Sequence, residues 1–244
     1  MGLALALWMS FLGGEVAAAE RVDLELVLLA DASRSIDDAE IRFQRQGYAA
    51  AITHPDVLAA ITYGYERRIA VTYIEWGDET SQEIVVPWRI IDGEESATAF
   101  AKILLAAPRL ASGPNAIGSA LAAAHALIEA NDIDGFRKVI DFSADSAYSG
   151  GGVPISQARA AAFADGITIN GLAILCRGCN GRPVGYDLEA AFADFIVGGP
   201  GHFVVTADED ESFAEAVRRK LLLEIAGLAK DRAAAPLSAR FTPR

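Results

Sequence analysis

The sequence predicts an α/β fold: a doubly wound, mostly parallel sheet with one antiparallel edge strand and helices on both faces. Three observations carry this. Strand-like and helix-like hydrophobic patterns alternate along the chain. The first strand pattern, over 22–30, ends in a continuously apolar run, as a central strand covered on both faces requires. Two early strand patterns, 69–76 and 83–91, are joined by a short polar turn beginning at Gly77-Asp78 and read as a hairpin. Pro87, inside the second of them, has no ladder donor and places that strand at an edge.

The remaining elements follow in order. Residues 36–54 read as a helix with Asp37 and Asp38 in its first turn, where the helix dipole favours negative charge. Pro55 opens a second, short helix, and 95–106 is a third. Ile117, Leu121, Ala124 and Ile128 share one face of a further helix at the 3.6-residue period. Residues 138–143 read as a buried strand, 155–164 as a helix ending at Gly166, and 167–175 as a strand. A helix over 188–196 stops at Gly198-Gly199-Pro200, and 202–206 reads as a short strand. Phe213, Val217, Leu221, Ile225 and Leu228 mark the apolar stripe of a last helix. The expected organisation is an export signal over 1–19, one domain over 20–228, and a flexible tail over 229–244.

Hydrophobic residues make up 52% of the chain, enough for a sizeable core and too many for a disordered sequence. The net charge of −12 comes with no basic run longer than Arg218-Arg219-Lys220, so the positive footprint of nucleic-acid binding is missing. The apolar run 3–12, followed by Ala17-Ala18-Ala19, reads as a cleaved signal and implies a periplasmic or secreted protein. An uncleaved anchor and a buried amino-terminal helix are the alternatives, although the run is short for a membrane span. Cys176 and Cys179 form a C-x-x-C pair, which in an oxidising compartment reads as a small disulfide loop. Free thiols, a redox pair and a metal site are the other readings. The following Asn180-Gly181-Arg182-Pro183 is loop-like, unlike the helix start a redox motif needs.

The first strand pattern runs into Asp31-Ala32-Ser33-Arg34-Ser35. One carboxylate and two hydroxyls on a tight loop are hard oxygen donors, suited to Mg²⁺, Mn²⁺ or Ca²⁺. The competing reading is helix capping, with Ser35 as cap and Asp38 closing a box. A second polar loop, Ser112-Gly113-Pro114-Asn115, precedes the helix at 117, and Asp145 follows the strand over 138–143. Doubly wound sheets bind ligands at the carboxyl ends of their strands, so these three loops are placed to converge on one rim. Two carboxylates brought together there need a cation or a proton.

These loops resemble the metal-ion-dependent adhesion site of von Willebrand factor A domains, and Trp76-Gly77-Asp78 resembles that family's second-strand ending. The stretches at 139–143, 167–174 and 198–205 resemble an exported bacterial branch catalogued as a domain of unknown function. The resemblance implies direct ligation by Ser33 and Ser35, with Asp31 and Asp145 acting largely through water. It also implies a threonine in the second loop, where this chain has Asn115, with Ser112 as substitute. The open coordination position of such a site takes an acidic residue of a partner protein.

Enzyme signals are weak. Gly113 to Gly118 has phosphate-loop spacing, but Ser119-Ala120 replaces the lysine and hydroxyl residue. No G-x-S-x-G elbow occurs. His125, His202, Asp78 and Glu79 read as structural or solvated residues. The expectation is an exported, metal-dependent protein-binding module that is not an enzyme. An envelope thiol–disulfide or metal-dependent enzyme and a metal-free scaffold of the same fold are the alternatives.

Overall fold

The computed structural model describes residues 19–175, 184–208 and 213–227. In chain order the elements are β1 (Glu20–Val22), β2 (Glu25–Asp31), α1 (Asp38–Ile52), α2 (Pro55–Tyr63), β3 (Ile69–Trp76), β4 (Gln82–Ile91), α3 (Glu94–Ala106) and α4 (Ile117–Glu129). They continue as β5 (Ile133–Gly135), β6 (Lys138–Ala144), α5 (Ile155–Ala164), β7 (Thr168–Ile174), α6 (Leu188–Phe195), β8 (Val204–Ala207) and α7 (Phe213–Ala226). Six strands form one sheet in the order β4-β3-β2-β6-β7-β8. Only the β3–β4 pair is antiparallel, and β4, which carries Pro87, is an edge, as the sequence predicts.

Strand side chains alternate between faces, and β2, buried along its whole length, shows what this does. Leu26 and Leu28 join a core with α1, α2, α3 and α7, whereas Val27 and Leu29 join a second core with α4, α5 and α6. The chain fills the sheet from β2 toward β4, then crosses back to β6 and continues to β8. The order therefore reverses between β2 and β6. Loops leaving those two strands diverge and open a crevice at the carboxyl rim.

The structure corrects two strand assignments. The expected strand over 22–30 is divided at Asp23, whose carboxylate accepts the backbone N–H groups of Tyr65, Glu66 and Arg67 at 2.8, 3.1 and 2.9 Å. Arg67 takes a left-handed φ of 59° to make that turn. Beyond this anchor, β1 leaves the main sheet and pairs with β5, a strand too short for periodicity to reveal. The strand expected at 202–206 starts at Val204 instead. Gly199 and Gly201, at φ 92° and 67°, make a turn that includes His202, whose Nδ1 donates to the Gly199 carbonyl at 2.8 Å.

The stripe on α7 is buried as read from Phe213 to Ile225, but Lys220 and Glu224 are buried with it. Lys220 Nζ lies 2.5 Å from Asp141 Oδ1 on β6 and 2.6 Å from Glu224 Oε1. Burial, and next the Asp141 carboxylate, push the Glu224 carboxyl up to about 8. Leu228, Cys176, Cys179, the expected tail over 229–244 and all but the last residue of the expected signal lie outside the described residues.

Candidate metal centre

Asp31 is the last residue of β2, and its side chain is fully buried. Oδ1 accepts the Ser33 N–H at 2.8 Å, which folds the loop back on itself. Oδ2 is buried with no hydrogen-bond partner. Ser33 Oγ lies 3.0 Å from Ser35 Oγ, and Ser35 Oγ donates to Asp145 Oδ1 at 3.4 Å. Four of the five expected ligands thus lie along one run of contacts across the β2/β6 crevice. Asp31 is at its floor, and the exposed Ser35 and half-buried Asp145 are at its mouth.

The electrostatics follow from that placement. Burial first, and the Asp145 carboxylate second, push the Asp31 carboxyl up to about 7, against hydrogen bonds from Ser33 and the Asp145 backbone that lower it. Burial also raises the Asp145 carboxyl above its usual range. A buried carboxylate with an unpartnered oxygen beside a second carboxylate is costly until a proton or cation neutralises it. Carboxylates and hydroxyls without sulfur or imidazole suit a hard divalent cation. The residues present therefore fit Mg²⁺, Mn²⁺ or Ca²⁺.

The capping alternative does not hold. The N-cap of α1 is Asp37, which accepts from Ala39 and Glu40 N–H at 2.7 and 2.9 Å. Glu40 Oε2 accepts the Asp37 N–H in return at 2.7 Å, completing the box two residues beyond Ser35. The hydroxyls of Ser33 and Ser35 face each other and Asp145 instead.

Asn115 stands one step away. Its Nδ2 donates to Ser146 Oγ at 2.8 Å, so it reaches the cluster through the residue after Asp145. Ser112 is tied by its N–H to Ser81 Oγ in the β3–β4 turn. That turn packs hard against the second loop. A Cβ on Gly77 would lie 2.3 Å from the Ser112 carbonyl oxygen, so only glycine fits there. Asp78 accepts from Thr80 within the same turn, as its solvated reading requires.

Sequence reasoning missed the residue that holds the two loops together. Arg109 donates through Nη2 to the Ala32 and Ser33 carbonyls at 2.9 and 3.3 Å, through Nε to Ala111 at 3.2 Å, and through Nη1 to Asp38 at 3.0 Å. Arg45 forms a buried two-pronged pair with Glu75 at 2.7 and 2.9 Å and also grips the Ala107 and Pro108 carbonyls. Neither arginine belongs to a motif. Nothing in the sequence sets either apart from the other basic residues, and Arg45 lies three residues from Arg42.

A doubly wound sheet with one antiparallel edge strand is the fold of von Willebrand factor A-type domains, and this chain shares it. The family described as "Protein of unknown function (DUF1194)" matches residues 21–229, and the chain belongs to it. No curated protein matches the sequence. Among solved structures, proximal thread matrix protein 1 from the mussel byssus is similar at 18% identity and a TM-score of 0.55, over 85% of this chain and 47% of that one. A second structure of that protein, with a zinc-occupied MIDAS motif, is similar at 16% identity and the same score, over 85% and 48%. A von Willebrand factor type A protein from Catenulispora acidiphila is similar at 16% and 0.55, over 84% and 43%. The pilus adhesin SpaC from Lactobacillus rhamnosus GG is similar at 12% and 0.55, over 85% and 31%. The chain spans less than half the length of each, and these likenesses establish the fold.

Proposed function

We propose that this chain is an exported binding module that grips an acidic group of a partner protein through a divalent cation, Mg²⁺ foremost. Asp31, Ser33, Ser35 and Asp145 hold the ion, with Asn115 as an outer contributor, and the module catalyses no reaction of its own. The observation that carries this reading is the buried, unpartnered Asp31 Oδ2 beside a second carboxylate. The zinc-occupied motif of the mussel protein and the adhesin of similar fold support it.

The bound ion supplies an electrophilic position for an incoming carboxylate. Asp31 provides charge from beneath, where water does not screen it. Ser33 and Ser35 contribute neutral oxygens, which leaves positive charge at the mouth for the partner. Arg109 fixes the backbone carrying both hydroxyls and acts as a positioning residue. Residues 20–228 form the working domain, and export places it in the periplasm or outside the cell.

The test is thermal unfolding with Mg²⁺, Mn²⁺ or EDTA. A cation bound only by the folded state stabilises it by about 2.7 kcal/mol at a hundredfold excess over Kd. Wild type gains this, and Asp31→Ala loses the gain while keeping its metal-free fold. A wild type that unfolds identically in saturating cation and in EDTA sinks the proposal. Partner capture from envelope extract, compared with and without EDTA, then tests the binding role.

A further inference from the structure

A separate cluster of side chains with metal-ligating atoms lies at the opposite end of the sheet from the rim. His125 and Glu129 are one turn apart on α4 and face the carboxyl cap of α5, Asp165. One ligand atom from each of the three lies within 4.8 Å of the others, and His125 Nε2 is 2.7 Å from Asp165 Oδ2. α4 starts at the rim loop and runs away from it, and Asp165 precedes the amino end of β7, so this trio is far from Asp31.

We propose that His125, Glu129 and Asp165 form a zinc-type site that ties α4 to α5. One imidazole nitrogen and two carboxylates are borderline donors that suit Zn²⁺, with solvent completing the sphere, in contrast to the all-oxygen rim cluster. The ligands are held before any metal arrives. His125 and Glu129 are fixed by the i,i+4 spacing of a helix packed on the core through Leu121, Ala124 and Ile128. Asp165 is fixed by its N–H bonds to the Ala161 and Phe163 carbonyls and by Gly166, whose φ of 74° turns the chain into β7. The three side chains are 17%, 43% and 48% exposed, so an ion reaches them directly.

Lys138, the first residue of β6, competes for the site: its Nζ contacts Glu129 Oε1 at 2.9 Å. Zinc therefore displaces an ammonium that is itself 30% exposed and free to turn into solvent. This makes the proposal discriminating. If the trio is only a surface ion-pair cluster, removing Lys138 does nothing to zinc affinity. If it is a metal site, Lys138→Met tightens zinc binding.

The experiment is a Zn²⁺ titration followed by the ring resonances of the chain's three histidines, His54, His125 and His202, in an Asp31→Ala background that silences the rim. Expected are saturable shifts of His125 alone, and affinity weakened more than about tenfold by Asp165→Asn. Lys138→Met should strengthen it, and Mg²⁺ should cause no His125 shift. His125 resonances unmoved by excess zinc, or an affinity indifferent to both substitutions, overturn the proposal. Neither result bears on the rim cluster, because the readout is a nitrogen ligand the rim lacks.

Discussion

Asp31 is where sequence, burial and chemistry meet most closely. The D-x-S-x-S spacing is legible in the sequence, but it does not separate ligation from capping. That distinction needed the true cap, Asp37 with Glu40, which lies just beyond the motif. Asp31 also sets a pH dependence with a definite sign. Without metal its carboxyl titrates near 7, whereas in the unfolded chain it loses its proton near 3.8. The folded state therefore holds the extra proton through that window. Its contribution is complete below about 4 and is lost as pH rises to 7, a difference on the order of 4 kcal/mol. Metal-free Asp31→Asn should remove roughly half of the slope in denaturant melts between pH 4 and 8, leaving the parts due to Glu224 and Asp145. A variant with the wild-type slope would show that Asp31 does not hold the proton. On the proposed function an ion that binds the ionised carboxylate would reverse the dependence, so the metal-dependent gain should grow as pH rises.

Elements were legible where hydrophobic periodicity is long and unmixed, as in α4, α5 and β3. Periodicity failed where polar side chains decide the path, as at Asp23, and in the three-residue β1 and β5. It also concealed the polar part of α7, because a buried Lys220 and Glu224 read as solvated charge unless the opposing Asp141 is known. That helix docks partly through ions, which makes it sensitive to charge imbalance. Lys220→Met leaves the buried Asp141 carboxylate with no cation and takes a partner from Glu224, and breaking such a group costs roughly 3–5 kcal/mol. Converting Asp141 to Asn and Glu224 to Gln in the same chain should recover a large share of the loss. Equilibrium urea unfolding checks both. If the single variant is as stable as wild type, the cluster is not what anchors α7.

At the scale of the whole molecule, the strand–helix alternation announced a doubly wound sheet, and the strand order places its switch between β2 and β6. What the alternation could not give is how Arg109 and Arg45 tie the segment after α3 to the β2–α1 loop, α1 and β3, since side chains reaching backbone carbonyls leave no periodic trace. Nothing in the sequence pattern around His125 announced that Glu129 and Asp165 converge on it.

The pairing of β2 with β6 also fixes an order of events in time. Ser35 and Asp145 are separated by 110 residues, and β6 pairs with β2 only after the whole β3–β4–α3–α4 segment has been looped out. Parallel pairing over that distance is slow, and a half-formed rim has no affinity to offer. If the rim closes only after that slow pairing, the ion-binding geometry is completed late on the folding path. Saturating Mg²⁺ should leave the folding limb of a chevron plot where it is and lower the unfolding limb by the full binding factor. On the proposed function the cation would act as a latch on residence time in the folded state, and a newly unfolded chain would reach its native form at the same speed whether metal is scarce or plentiful.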